Sequence, residues 1–388
     1  MPFYRQVGEI PPKRHTQFRQ PDGSLYAEEL MGEEGFSSDS SLLYHRHLPT
    51  AIRASQPWDL AEVTTTPNHP LKPRHFQPHK LAAGGDAVRD RHLLLSNPDV
   101  RINYAAVTNA SPLYRNATGD ECLYVESGSA TVETTFGALD ISKGDYLVIP
   151  MSIIYRVVPH EELRLLIIEA SGHIGPPNRY LSKRGQFLEH SPYCERDLRS
   201  PSEPLLVDGE DVEVYVRHRG AAGAHVGTKF TFANHPFDVV GWDGCMYPWV
   251  FSIYDFEPIT GRIHQPPPAH QTFAGPGFVV CSFVPRKVDY HPDAVPVPYN
   301  HHNVDSEELM FYVGGDYEAR KGSGIRLGSM SLHPGGFTHG PQPGAAEASL
   351  GAEKFDEMAV MIDTFRPLQL AQPAQECEDP DYAWTWAQ

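Results

Sequence analysis

The stretch 298–315, "PYNHHNVDSEELMFYVGG", crowds together five residues whose side chains suit a divalent metal ion or its surroundings: His301, His302, Asn303, Glu307 and Glu308. Two more histidines, His333 and His339, follow in "SLHPGGFTH". Two imidazoles and one carboxylate on one face of a metal ion leave neighbouring coordination positions open. Non-haem Fe(II) uses such positions to bind a substrate and O2 side by side. A closed four-ligand zinc site leaves no such room. The competing structural reading is a buried, hydrogen-bonded polar cluster. Side chains alternate along a strand, so a strand through this stretch puts His301 and Asn303 on one face and His302 on the other.

The elements that must position these residues are strands. From about residue 95 the chain is a series of short runs rich in Val, Ile, Tyr and Thr, such as "VRINYAAVTN", "ECLYVESG", "DYLVIP", "LRLLIIEAS", "GFVVCSFVP" and "EMAVMIDTF", separated by Gly, Asp and Ser. This is the rhythm of an all-β sandwich or barrel, and helical periodicity is weak throughout. The division expected is an irregular N-terminal arm and linker over 1–94, one β half over 95–235, a second over 236–370, and a tail over 371–388. In the arm, "YHRHLPT" places His45 and His47 at strand-alternate spacing with no nearby carboxylate, as surface or interface residues do.

Composition narrows the function classes. Lys+Arg total 32 against 49 Asp+Glu, a net charge of −17 with no basic block. That argues against nucleic-acid and anionic-membrane partners. The N-terminal "MPFYRQVGEIPPKRHTQFRQ" has no apolar core of a secretory signal. The five scattered cysteines (Cys122, Cys194, Cys245, Cys281, Cys377) form no CxxC motif. A reducing, cytoplasmic location is expected.

The chain also echoes itself. "ECLYVESG" and the register of "ELMFYVGG" each give Glu, six residues, then Gly: Glu121 to Gly128 and Glu308 to Gly315. Downstream, "GDYLVIP" and "GSMSLHP" each give Gly, five residues, then Pro. These blocks resemble the two motifs of the cupin superfamily. The resemblance implies a mostly β bicupin built from two β-sandwich, or jelly-roll, halves. The first half would be structural and metal-free, with Tyr114, Asn116 and Tyr155 where ligands would stand. The second would be competent, with Asn303 in place of a second histidine. Cupin spacing favours His301, Glu308 and His339 as ligands, with His302 and Glu307 open as alternatives.

A narrower resemblance follows from "GDECLYVESGSATVETTFGALDISKGDYLVIP", "FDVVGWDG", "PYNHHNVDSEE", "SLHPGGFTHGP" and "LLYHRHLPT", which together resemble homogentisate 1,2-dioxygenase. It implies Fe(II)- and O2-dependent opening of a 2,5-dihydroxyphenylacetate ring to maleylacetoacetate, in tyrosine and phenylalanine breakdown. It also implies a cytoplasmic homo-oligomer, a trimer or a hexamer made as a dimer of trimers. Carried over by position, the resemblance implies an iron held by His301, Glu308 (or Glu307) and His339. It implies substrate contacts from His333, Tyr317 and Asn303. In "GRIHQPPPAHQTF" it implies an acid/base histidine at His264 rather than His270. Histidine suits that role because its ordinary pKa lies near neutrality. The competing functions are cleavage of a related ring such as gentisate, a non-catalytic bicupin, and a Zn- or Mn-dependent sugar isomerase.

Overall fold

The computed structural model describes residues 3–61 and 63–387. Three large sheets organise them, and as expected the chain is mostly β. One nine-stranded sheet has at its centre Asp145–Ile149, Glu121–Ser127, Leu163–Ala170 and Val100–Val107. A seven-stranded sheet carries Gly137–Ser142, Ser129–Thr134, Ile154–Pro159 and Leu113–Asn116 into the long hairpin Glu210–Arg219/His225–Asn234. A second seven-stranded sheet runs in the order Gln271–Gly275, Phe278–Phe283, Met358–Thr364, Glu307–Gly314, Met330–His333, Arg74–Phe76, Glu378–Asp379.

The internal echo is structural. Gly128 and Gly315, the glycines that end the two repeated blocks, both have left-handed backbones, at φ 84° and 72°. At Gly315 a Cβ would fall 1.5 Å from the carbonyl oxygen of Asp356, so only glycine fits that turn.

Strand alternation decides what each residue of Glu307–Gly314 faces. Leu309, Phe311 and Val313 join the main core, whereas Met310 and Tyr312 form a second cluster with Cys281, Ala359 and Met361. Phe311 lies edge-on to Tyr104 and Tyr124, at centroid distances of 6.3 and 6.4 Å, so the second half's central strand packs directly on the first half's sheet. Burying such a ring contributes roughly 1.5–3 kcal/mol.

Two expectations about organisation meet a different arrangement. The N-terminal region is threaded into sheets: Arg5–Gly8, Ser40–His45 and Ala27–Gly32 form a four-stranded sheet with Val239–Gly244. Ile52–Trp58 extends the hairpin sheet, and Arg74–Phe76 pairs with Met330–His333 in the second half. The strands after 236 also group with the first half, because Trp249–Ser252 pairs with Asp145–Ile149. The second half therefore begins after those strands. Its facing sheet is reduced to the pair Arg286–Lys287/Lys354–Phe355 and a single bridge between His301 and His339.

Candidate metal centre and cleft

The site is built from one strand, one bridge and one loop. Glu308 sits on Glu307–Gly314, opposite His333 on one neighbouring strand and Asp363 on the other. His301 and His339 are brought together by a reciprocal backbone pair, His301 N–H to His339 O at 2.7 Å and His339 N–H to His301 O at 2.9 Å. This differs from the continuous strand expected through 301–308: strand geometry begins only at Glu307, and the bridge places His301.

His301, Glu308 and His339 each offer a ligand atom within 4.8 Å of the others, and they are the sole such group among the described residues. Glu308 Oε2 lies 3.4 Å from His301 Nε2, and Oε1 lies 3.6 Å from His339 Nε2. The Nε2 of His339 is buried and has no hydrogen-bond partner. An orphaned imidazole nitrogen aimed at a buried carboxylate is what a bound cation would resolve, and two imidazoles with one carboxylate are the donor set of a facial triad. The residues present therefore fit a divalent metal.

The alternatives to these ligands point elsewhere. Glu307, on the opposite face of the strand, accepts the Leu368 N–H at 2.7 Å. His302 is exposed and lies 3.4 Å from Thr338 Oγ1.

Hydrogen bonding fixes the electrostatics. Burial disfavours a charge on Glu308, but its contacts with His301 and His333, together with His339 at 3.6 Å, outweigh that and hold its carboxyl well below the ordinary range. His333 is fully buried; burial, reinforced by the charge of Arg320, lowers its pKa to about 3, so its ring is neutral. The network then assigns its tautomer: Nδ1–H donates to Glu308 Oε1 at 2.9 Å, and Nε2 accepts the Tyr382 O–H at 3.0 Å. His333 stacks on His339, with ring centroids 4.3 Å apart, and orients the carboxylate from behind. Asp363 is pushed up to about 8 by burial and by the charge of Glu308, so a single negative charge occupies this spot at neutral pH.

A cleft of about 190 Å³ opens over His301 and Glu308, with Tyr299, His264, His270 and Arg320 among its walls. His264 stands at the exposed side, its Nε2 2.7 Å from Tyr299 Oη, and the Tyr299 ring in turn lies edge-on to His301 at 5.8 Å. His270 is buried against Phe283; burial, then the charge of Arg286, lowers its pKa to about 3. Tyr317 packs edge-on against Tyr312, its hydroxyl buried and without a partner. Asn303 is half-buried and, unlike His301, is not among the residues lining the cleft.

The corresponding place in the first half holds a guanidinium. Glu121, the counterpart of Glu308, accepts from Arg91 Nη1 at 2.6 Å and from the Tyr155 O–H at 2.5 Å. The same Arg91 nitrogen donates to Glu169 at 2.7 Å, and Glu169 also binds Arg217 and Arg101. Burial opposes the charge on Glu169, but these three arginines overcome it and hold its carboxyl far below the usual range. Tyr114 lies beneath Arg91, its ring centroid 5.6 Å from the guanidinium carbon. Asn116 is turned to its own loop, where its side-chain oxygen accepts from Thr118.

Comparison with known families matches two successive parts of the chain. Residues 8–253 match the model described as Homogentisate 1,2-dioxygenase N-terminal, and 260–388 match Homogentisate 1,2-dioxygenase C-terminal. The chain belongs to the homogentisate 1,2-dioxygenase family. It is 40% identical, over all of its length and 99% of the relative's, to a protein of Saccharolobus solfataricus named provisionally as a dioxygenase. It is 28% identical to the homogentisate 1,2-dioxygenase of Bradyrhizobium diazoefficiens, over 70% of this chain and 62% of that one. With the enzyme of that name from Emericella nidulans it shares 26% identity over 92% of this chain and 85% of the relative.

In this homogentisate dioxygenase fold, sequence reasoning missed four residues around the site. Tyr299 and Arg320 line the cleft, and Tyr382 and Trp386 pack behind it. Only the aromatic-rich "YAWTW" and the position of Tyr299 two residues before His301 could have drawn attention. In the N-terminal region, His45 lies between Asp238 Oδ1 at 2.6 Å and Glu29 Oε2 at 2.9 Å, and His47 also meets Asp238. These contacts clamp the N-terminal sheet. No helix among the described residues is long and apolar enough to cross a membrane.

Proposed function

We propose that the chain is an Fe(II)-dependent, extradiol-type dioxygenase that opens the ring of homogentisate with O2 to give maleylacetoacetate, in the cytoplasmic breakdown of tyrosine and phenylalanine. The observation that carries the reading is the convergence of His301, Glu308 and His339 under a cleft, with the Nε2 of His339 buried and unpartnered. Family membership supplies the reaction class.

His301, Glu308 and His339 would hold the iron, which when bound supplies Lewis acidity toward a ring hydroxyl and a route for electrons to O2. The chain's other groups manage protons and orientation. His264 takes the proton of the ring hydroxyl, and Tyr299 orients the imidazole through the 2.7 Å contact to Nε2. His270 is a poor acceptor, because burial already strips its ring of basicity. Tyr317 packs against Tyr312, which lines the cleft, and its buried, unpartnered hydroxyl is the donor assigned to a substrate oxygen. His333 and Tyr382 keep Glu308 ionised and aimed. Asn303 follows His301 in the same loop but lies off the lining of the cleft, and no substrate contact is assigned to it.

The test is anaerobic loading with Fe(II), then homogentisate and air, following O2 uptake and the ring-opened dienolate absorbance, with gentisate in parallel. Uptake with homogentisate, and loss of bound iron in His339→Ala, are expected. Absence of uptake with homogentisate in iron-loaded protein refutes the proposal, and uptake with gentisate alone transfers the reading to that ring.

A further inference from the structure

Arg320 presents a buried positive charge on the wall of the cleft. The residue is 8% exposed, and a guanidinium is ionised at every working pH. Its Nη1–H donates to the carbonyl of Gly340 at 2.5 Å, its Nε–H to Tyr312 Oη at 3.3 Å, and Trp386 covers it at 5.9 Å. Those bonds use Nε and Nη1; among the described residues none uses Nη2, and no carboxylate lies within the 4.0 Å of an ion pair.

The contrast within the molecule is sharp. Arg91 and Arg217, with side chains 3% and 8% exposed, both hold Glu169. Arg286, the other cation on the cleft wall, meets Glu357 at 3.5 Å and lies over the rings of Phe283 and Phe355. Glu308 acts on this guanidinium only through space, and a buried charge with no carboxylate in direct contact is costly to keep. Retaining one at the edge of a cavity makes sense where an incoming anion supplies the missing partner.

We propose that Arg320 is the anion anchor of the cleft and receives the carboxylate of the aromatic acid. The inference rests on the proposed ring-cleavage function and adds the group that reads the acid. The anchor is rigidly referenced to the metal centre, since Gly340, which holds Nη1, directly follows His339. A carboxylate held there fixes the far end of the substrate, so the hydroxylated edge of the ring meets His301, Glu308 and His339. Charge-assisted, two-point recognition of this kind discriminates an acid from a neutral isostere.

The test compares 2,5-dihydroxyphenylacetate with its uncharged amide on the Fe(II)-loaded protein. Steady-state O2 uptake is measured in air, and calorimetric binding of both compounds is measured anaerobically. In the unaltered protein the acid should be favoured by roughly 10- to 150-fold in KM and in affinity. Arg320→Met should abolish that preference by weakening the acid far more than the amide. Arg320→Lys should restore part of it. An unaltered protein that takes the amide as readily as the acid overturns the anchor without recourse to any variant, whether or not Arg320→Met folds. A preference that survives in Arg320→Met overturns it equally. If neither compound is consumed, yet the acid binds better than the amide and Arg320→Met erases the difference, the ring-cleavage reading fails and the anchor stands.

Discussion

Replacing Arg91 with Met probes the first half's ion network without touching the metal centre. Arg91 is 3% exposed at its side chain and bridges Glu121 and Glu169, each 1% exposed. In Arg91→Met, Glu169 keeps Arg217 and Arg101. Glu121 keeps only the Tyr155 hydroxyl as a hydrogen-bond partner and becomes a buried carboxylate with no cation in direct contact. Breaking one side of such a pair costs roughly 3–5 kcal/mol, which for a unit of this size is of order 10 °C in melting temperature. Adding Glu121→Gln removes the stranded charge, so the double variant should recover a large part of the loss. Urea titrations and thermal melts of the four proteins at pH 7 measure the cycle, and iron content should be the same in all four. The reasoning fails if Arg91→Met melts within about 1 °C of the unaltered protein, or if the double variant is less stable than the single one.

Two further predictions concern stability elsewhere. Burial disfavours the charge on His45, but its bonds to Asp238 and Glu29 outweigh that and raise its pKa to about 9. Its contribution is complete below about pH 6.5 and is lost as pH rises through about 9, a change of about 3 kcal/mol. Melting temperature should therefore fall between pH 7 and 10, and His45→Gln should flatten that fall; an unchanged slope in His45→Gln counts against the clamp. Phe311→Ala, which removes the ring between Tyr104 and Tyr124, should cost roughly 3–5 kcal/mol by chemical denaturation. A loss below 1 kcal/mol would show that the halves do not depend on this contact.

Much of the centre is legible in the sequence because spacing and backbone geometry constrain each other there. Glu308 lies a fixed distance before a left-handed glycine, and strand alternation then sends Glu307 to Leu368 and Glu308 to the histidines. The mostly β architecture is legible for the same reason: runs such as "LRLLIIEAS" bury both faces, so composition and structure agree. What escapes sequence reading is pairing across long separations. The N-terminal strands are short, interrupted by Pro and Gly, and gain their partners from residues about two hundred positions away, so nothing local marks them. Arg91 precedes Glu121 by 30 residues, and a lone arginine carries no sign of burial. Tyr382 and Trp386 reach the site only because Glu378–Asp379 pairs with Arg74–Phe76 and returns the tail to the second half's sheet.

The guanidinium beneath Glu121 has a consequence for how the chain meets its supply of metal. Glu121 and Glu308 occupy the same place in the two halves, and each collects its cation differently. In the first half the cation is part of the polypeptide: it arrives with translation, in fixed stoichiometry, and no chelator can remove it. In the second half, on the proposed function, His301, Glu308 and His339 would leave the place to an exchangeable ion. The molecule would then pair a permanent support with a replaceable reagent. A shortage of metal would idle the working half while leaving its partner sheet intact, ready to be reloaded without refolding.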